Sequence, residues 1–159
     1  RIEIYSRRVA DLDNPDCPPI PKHMSTPEDR FDPLAEKYPL QLLTPHPRNR
    51  VHSELYKVPW LREVEEHRVW INSRDARARG IQDGDGVLVY NDRGTITLPA
   101  FVTERIMPGV VAVFEGSWYS PDENGVDRGA CANTLTRDAY SGGGACVMNT
   151  SLVQAEKSS

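Results

Sequence analysis

Two arginines and two histidines fall within the ten residues TPHPRNRVHS, Thr44 to Ser53, with no acidic residue among them, in a chain whose formal net charge is −4. Arginine's planar fork suits phosphate oxygens, and backbone N–H groups at the start of a following turn supply further donors. Thr44, His46, His52 and Ser53 surround Arg48 and Arg50 with short hydrogen-bonding side chains. A loop of this composition is ordinarily a solvated one. Here it follows the apolar run Tyr38-Pro39-Leu40-Gln41-Leu42-Leu43, a strand candidate that would hold its base rigid. The expected guest is a phosphate-bearing ligand.

Gly116-Ser117-Trp118-Tyr119 heads a long stretch rich in Gly and Asn. Paired aromatics there are better placed to stack on a flat heterocycle than to fill a core. Asn133-Thr134 and Asn149-Thr150 are turn formers, and their side-chain groups also suit the donor and acceptor edge of a base or pterin. Other patterns carry less. Gly142-Gly143-Gly144 has neither the helix nor the lysine of a nucleotide loop, and Ser117 lacks the elbow of a serine nucleophile. Asn149-Thr150-Ser151 fits a glycosylation sequon but leads straight into a strand. Cys17, Cys131 and Cys146 are odd in number and lack metal-ligand spacing, so free thiols are expected. No catalytic residue and no metal ligand is assigned.

The elements that must position these groups read as mainly β. The 159 residues suit one domain, and the acidic balance, with pI near 5.6, argues against a nucleic-acid binder. No apolar stretch approaches the roughly 20 residues of a membrane span, so a soluble domain without direct membrane insertion is expected. The chain opens RIEIYS without an initiator Met or signal peptide, as though already inside a strand at Ile2–Tyr5, and reads as a piece of something longer. Six prolines between Asp11 and Pro33 predict an extended surface wrap. Residues 1–37 are thus a lead-in, and 38–159 the globular domain.

Further strands are predicted at Tyr38–Leu43, Arg68–Ile71, Val87–Tyr90, Thr95–Thr103, Val110–Phe114 and Thr150–Glu156. A short helical turn fits Ser53–Leu61. Asn72 or Ser73 should cap a helix over Arg74–Arg79 that Gly80 ends. Asn91-Asp92-Arg93-Gly94 reads as a hairpin turn with Gly94 at positive φ. Short strands, hairpin turns and one clear helix predict a small β-barrel.

Taken together, LLTPHPRNRVHS, VWINSRDARARGIQDGDGVLVYNDRGTITLPAFVTERIMPGVV, EGSWYSPDENGVDRGACANTLT and NTSLVQAEK resemble the C-terminal dinucleotide-binding domain of molybdopterin oxidoreductases, of the dimethyl sulfoxide and selenate reductase type. The resemblance runs from about Tyr38 to Lys157. It implies a six-stranded double-psi β-barrel with short helices and long loops, closing over molybdenum bis(molybdopterin guanine dinucleotide). It makes Asp75 to Asp85 barrel scaffold, and places Thr44, His46, Arg48, Arg50, His52, Ser53, Trp118, Tyr119, Asn133, Asn149 and Thr150 against the cofactor. On that carry-over Arg48 and Arg50 offset the diphosphate.

The same resemblance puts the molybdenum ligand and an iron–sulfur cluster in parts of the subunit outside this chain. It implies as partners the remaining domains of the same catalytic subunit, an iron–sulfur electron-transfer subunit and a membrane anchor subunit. The location it implies is periplasmic, or the outer face of the cytoplasmic membrane. The reaction of the whole subunit would be oxygen-atom transfer from an S-oxide or similar acceptor, with this chain alone not catalytic. Two alternatives stand beside it: a free-standing double-psi enzyme of pyruvoyl decarboxylase type, cleaving itself at Gly116-Ser117, and a non-catalytic interaction module docking through the Pro-rich wrap.

Overall fold

The computed structural model describes residues 2–158, and Arg1 and Ser159 lie outside them. Seven strands form: β1 Leu40–Leu43, β2 Val69–Ile71, β3 Gly86–Asn91, β4 Gly94–Val102, β5 Val110–Val113, β6 Val126–Asp127 and β7 Ser151–Lys157. Their order is β2-β5-β1-β7-β3-β4-β6, and β2 also pairs with β4, so six strands close on themselves while β6 extends the edge of β4. Two pairs in the ring are parallel, β1 with β5 and β2 with β4. Exchanging each barrel strand with the one three places later in the ring's chain order maps the ring onto itself, the pseudo-twofold of a double-psi barrel.

Closure depends on strands that serve two neighbours in turn. β4 pairs with β3 from Gly94 to Pro99 and with β2 from Ala100 to Val102. Pro99, which has no N–H to donate, sits where one ladder gives way to the other. β7 likewise pairs with β1 through Ser151–Val153 and with β3 through Gln154–Lys157. Period-two alternation then turns Val87 and Val89, Ile96, Leu98 and Ala100, and Val153 and Ala155 inward, where they meet Leu40, Leu42, Val69, Ile71, Val111 and Val113. Each such aliphatic side chain contributes about 1.5–3 kcal/mol by leaving water, so the barrel is a rigid base for its loops.

Helix α3 of the barrel, Ser73–Ala78, is capped by Asn72, whose side chain accepts from the Arg74 N–H at 2.9 Å, and Gly80 follows at φ 65°. The two other α-helices are less legible in the sequence. Arg7–Ala10 forms α1, and the expected turn at Ser53–Leu61 becomes α2 at Pro59–Val64, because Pro59 is preorganised for the first helical position and lacks a donor for anything further in.

Two expectations are corrected. Ile2–Tyr5 is no strand: Ile2 and Ile4 are exposed with no edge to pair with, while Ser6 donates its N–H to the Pro19 carbonyl and caps α1. Gly94 does not adopt positive φ. It pairs with Asn91 inside the ladder, and glycine is needed there for space, since a Cβ would lie 2.7 Å from Thr134 Cγ2.

The Pro-rich lead-in does wrap the surface, without helix or strand from 11 to 32. One side chain pins it. Glu28 is buried and takes two hydrogen bonds from the Arg93 guanidinium, at 2.7 and 2.8 Å, plus the Leu152 N–H at 3.0 Å. Burial would raise the pKa of this carboxyl, but the bonds from Arg93 and Leu152 outweigh it and the pKa is lowered.

Candidate functional site

The basic loop leaves the end of β1 already anchored. Thr44 is buried, and its N–H donates to Asn149 Oδ1 at 2.7 Å while its hydroxyl reaches the same oxygen at 3.2 Å and the Met148 carbonyl at 3.3 Å. The loop carries no acid of its own, yet the fold brings two. Glu65, at the C-terminal end of α2, accepts the N–H groups of Arg48 and Asn49 at 3.1 and 3.0 Å. Glu115, just beyond β5, donates its N–H to the Pro45 carbonyl at 3.1 Å.

The Glu115 carboxylate lies between the two histidines. His52 Nδ1 is 3.0 Å and His46 Nε2 3.3 Å from its Oε1, and the imidazole centroids are 4.8 Å apart. Both rings are largely exposed. Polar contacts at rings this exposed contribute about 0–1 kcal/mol, so this arrangement does little for folding and presents ring nitrogens at a surface. The three ligand atoms lie within 4.8 Å of one another, close enough to share one cation or one hydrogen-bonding heterocycle.

Glycines let the next loop close against this one. A Cβ on Gly116, at φ 87°, would lie 1.9 Å from the His52 carbonyl oxygen, and a Cβ on Gly129 would lie 1.7 Å from that of Trp118. No side chain fits at either place. Trp118 Nε1 donates to the Ser53 carbonyl at 3.2 Å, Lys57 Nζ sits 4.0 Å from the centre of its ring, and Trp118 and Tyr119 remain 47% and 62% exposed.

The long segment after Gly116 is organised by Asp127. Its fully buried carboxylate accepts the N–H groups of Ser120, Gly129 and Cys131 at 2.8, 2.9 and 2.7 Å and the Thr134 hydroxyl at 3.1 Å. Ser117 is buried and donates to the Ala130 carbonyl at 2.6 Å.

Contacts therefore link Thr44, His46, His52, Ser53, Trp118 and Asn149 into one set, with Tyr119 and Thr150 next to members of it in the chain. The Thr150 hydroxyl is buried without a hydrogen-bond partner. Asn133 is exposed on the 3-10 turn Ala132–Thr134 and shares a shallow cleft with Met148. Arg48 is exposed. Arg50 makes none of these contacts: its side chain is buried, with its guanidinium carbon 5.1 Å from the centre of the Tyr56 ring. Burial lowers the pKa of this guanidinium, although Glu65 nearby opposes the shift.

Sequence reasoning missed Glu115, Glu65, Asp127 and the Tyr56–His67 pair. Only Asp127 carried a local signal, an Asp two residues before a Gly; the others acquire meaning through long-range contact.

Comparison with known proteins adds four findings. A family profile described as "Molydopterin dinucleotide binding domain" matches residues 40–148. Dimethyl sulfoxide reductase DmsA of Escherichia coli is 42% identical over 165 residues, covering 99% of this chain and 20% of that protein. Trimethylamine-N-oxide reductase 1 of the same organism is 39% identical over 167 residues, covering 98% of this chain and 20% of the relative. Acetylene hydratase from Pelobacter acetylenicus shares the fold, with a TM-score of 0.78 at 18% identity, covering 99% of this chain and 23% of its own. The chain thus spans about a fifth of the length of the curated relatives it matches.

Proposed function

The chain belongs to the molydopterin dinucleotide binding domain family, and on that premise we propose that its joined loops hold molybdenum bis(molybdopterin guanine dinucleotide) inside the catalytic subunit of a dimethyl sulfoxide reductase-type enzyme. The observation that carries this reading is the continuous patch running from Asn149 through Thr44 and the His46–Glu115–His52 cluster to Trp118. The residues fit such a group. Aromatic faces at Trp118 and Tyr119 are open for a fused heterocycle, and the Thr150 hydroxyl is a buried polar atom that lacks a hydrogen-bond partner.

When bound, the cofactor supplies two-electron oxygen-atom transfer at molybdenum. This chain's residues bind and orient it. His46 and His52, steered by Glu115, present ring nitrogens to pterin edges, and Asn133, Asn149 and Thr150 offer amide and hydroxyl groups to a base or pterin. Ser53 sets the tilt of Trp118. Exposed Arg48 offsets phosphate charge, which would be very costly to bury without a partner. The barrel beneath excludes water from one side.

In the whole subunit the acceptor is an S-oxide or a similar oxide, in keeping with relatives named for dimethyl sulfoxide and trimethylamine N-oxide. The remaining domains of that subunit, an iron–sulfur electron-transfer subunit and a membrane anchor complete the reading, with the assembly in the periplasm or on the outer face of the cytoplasmic membrane.

The test uses the full-length subunit carrying His46→Ala together with His52→Ala, two exposed positions whose loss leaves the core intact. Molybdenum and guanine nucleotide, measured per mole of purified protein, should both fall at least tenfold. Normal content of both in the double variant overturns the assignment.

A further inference from the structure

Arg50 of the basic loop lines a second cavity, about 480 Å³ in volume, walled also by Tyr56, Arg62, His67 and Leu98. Two cations share one aromatic ring there. The guanidinium carbons of Arg50 and Arg62 lie 5.1 and 5.6 Å from the Tyr56 centroid, and among the described residues neither guanidinium has a carboxylate within ion-pair distance. Like charges held on one ring repel unless an anion joins them, and each ring contact returns only about 0.5–1 kcal/mol at partly exposed sites.

Three glutamates, Glu63, Glu65 and Glu66, also line the cavity, and none of them bonds to Arg50 or Arg62. Glu65 spends both oxygens on backbone N–H groups, Glu66 pairs with Arg68, Glu63 is exposed, and Arg128 on the rim is held by Asp122 at 2.7 Å. Arg50 is 8% exposed, and its Nη1 is buried with no hydrogen-bond partner. Glu65 lies near enough to act on this charge, but the Nη1 donor still lacks an acceptor.

His67 adds a second demand. Its Nε2 is 3.0 Å from the Ala130 carbonyl, an oxygen that only accepts, so Nε2 carries the proton. Burial is the main influence holding this ring neutral; the Ala130 bond opposes it, and Arg50 and Arg62 reinforce it. In the neutral ring Nδ1 is then a lone pair, and it too is buried without a partner. The occupant must therefore offer anionic oxygens to two guanidinium groups and an O–H to an imidazole nitrogen. A carboxylate or sulfate has no such proton at neutral pH, and neither does the diphosphate bridge of a dinucleotide. A phosphate retaining one proton has both.

We propose that the Arg50–Arg62–His67 cavity is a binding site for singly protonated phosphate, free or as a small monoester, separate from the cofactor patch. The site goes beyond the cofactor reading, and the two are measured independently. Purified full-length subunit with its cofactor is dialysed to equilibrium against radiolabelled inorganic phosphate, with unlabelled sulfate or methyl phosphate as competitors. One phosphate per subunit is expected, displaced by sulfate at least tenfold less effectively than by unlabelled phosphate. Displacement by methyl phosphate shows that the site admits a monoester; failure to displace restricts it to the inorganic ion.

Arg62→Gln, at an exposed position that leaves folding intact, should weaken retention at least tenfold without changing molybdenum content, and Arg50→Lys should weaken it as well. Equal displacement by sulfate overturns the proposal, as does retention unchanged in both variants. Loss of molybdenum in Arg62→Gln would merge the cavity with the cofactor patch and overturn the separation.

Discussion

Arg93 and Arg50 are both packed against the barrel's outer surface, and they differ in what surrounds their charge. Arg93 meets Glu28 through two short bonds, and its Nε donates to the Leu135 carbonyl at 2.9 Å. Arg50 is the more buried of the two, yet its Nη1 has no acceptor, and the nearest acid, Glu65, is turned to the backbone of Arg48 and Asn49. A cation held by a buried partner is architecture. One whose partner has been given other work is left open to a ligand, because a protein that needed only stability would have closed the pair.

Removing Glu28 should cost the most. Glu28→Ala leaves the Leu152 N–H and the Arg93 guanidinium without their carboxylate and frees the wrap, so unfolding in denaturant should shift by about 3 kcal/mol, the lower end of the range for a broken buried pair because Arg93 keeps access to water. A shift under about 1 kcal/mol would show the wrap to be passive.

A matched pair of substitutions sharpens the contrast. Arg93→Met should destabilise by about 2 kcal/mol, since it orphans the Glu28 carboxylate, whereas Arg50→Met, which removes a charge already lacking a partner, should be neutral or stabilising by about 1 kcal/mol in phosphate-free buffer. If the two variants lose stability equally, the distinction between closed and open charges fails.

What could be read in advance follows the range of the interactions. The barrel strands were legible because alternation and turn residues act over a few positions: Val87–Tyr90 and Val110–Phe114 each fell within a residue of the strands that form. The strand expected at Ile2–Tyr5 was not realised, because alternation states which face is apolar and not whether an edge exists to pair with. In the site, the loop, the aromatic pair and the late asparagines stood out by residue type. Glu115 and Glu65 did not, since a glutamate acquires its role only when closure of the barrel brings it to His52 or to the N–H of Arg48. The direction of Arg50 was hidden for the same reason: Tyr56 and His67 are ordinary residues until α2 folds over them.

The smallest effect, and the one that separates the two regions without any substitution, is their response to acid. His67 has its pKa lowered from 6.5, mainly by burial. The unfolded chain therefore takes up this proton first, so the stability that depends on a neutral His67 is complete above about pH 6.5 and is lost as pH falls toward the folded value. Glu28 is lowered from 4.5, because its bonds from Arg93 and Leu152 outweigh burial. Its contribution is complete above about pH 4.5 and is lost only as pH falls further. Amide hydrogen exchange followed from pH 7 downward should then show protection around Gly129–Cys131 weakening first, while the Leu152 N–H stays protected until below about pH 4.5. Simultaneous loss at both places would mean that the two charged regions open as one unit, and that the open and closed arginines are not energetically independent.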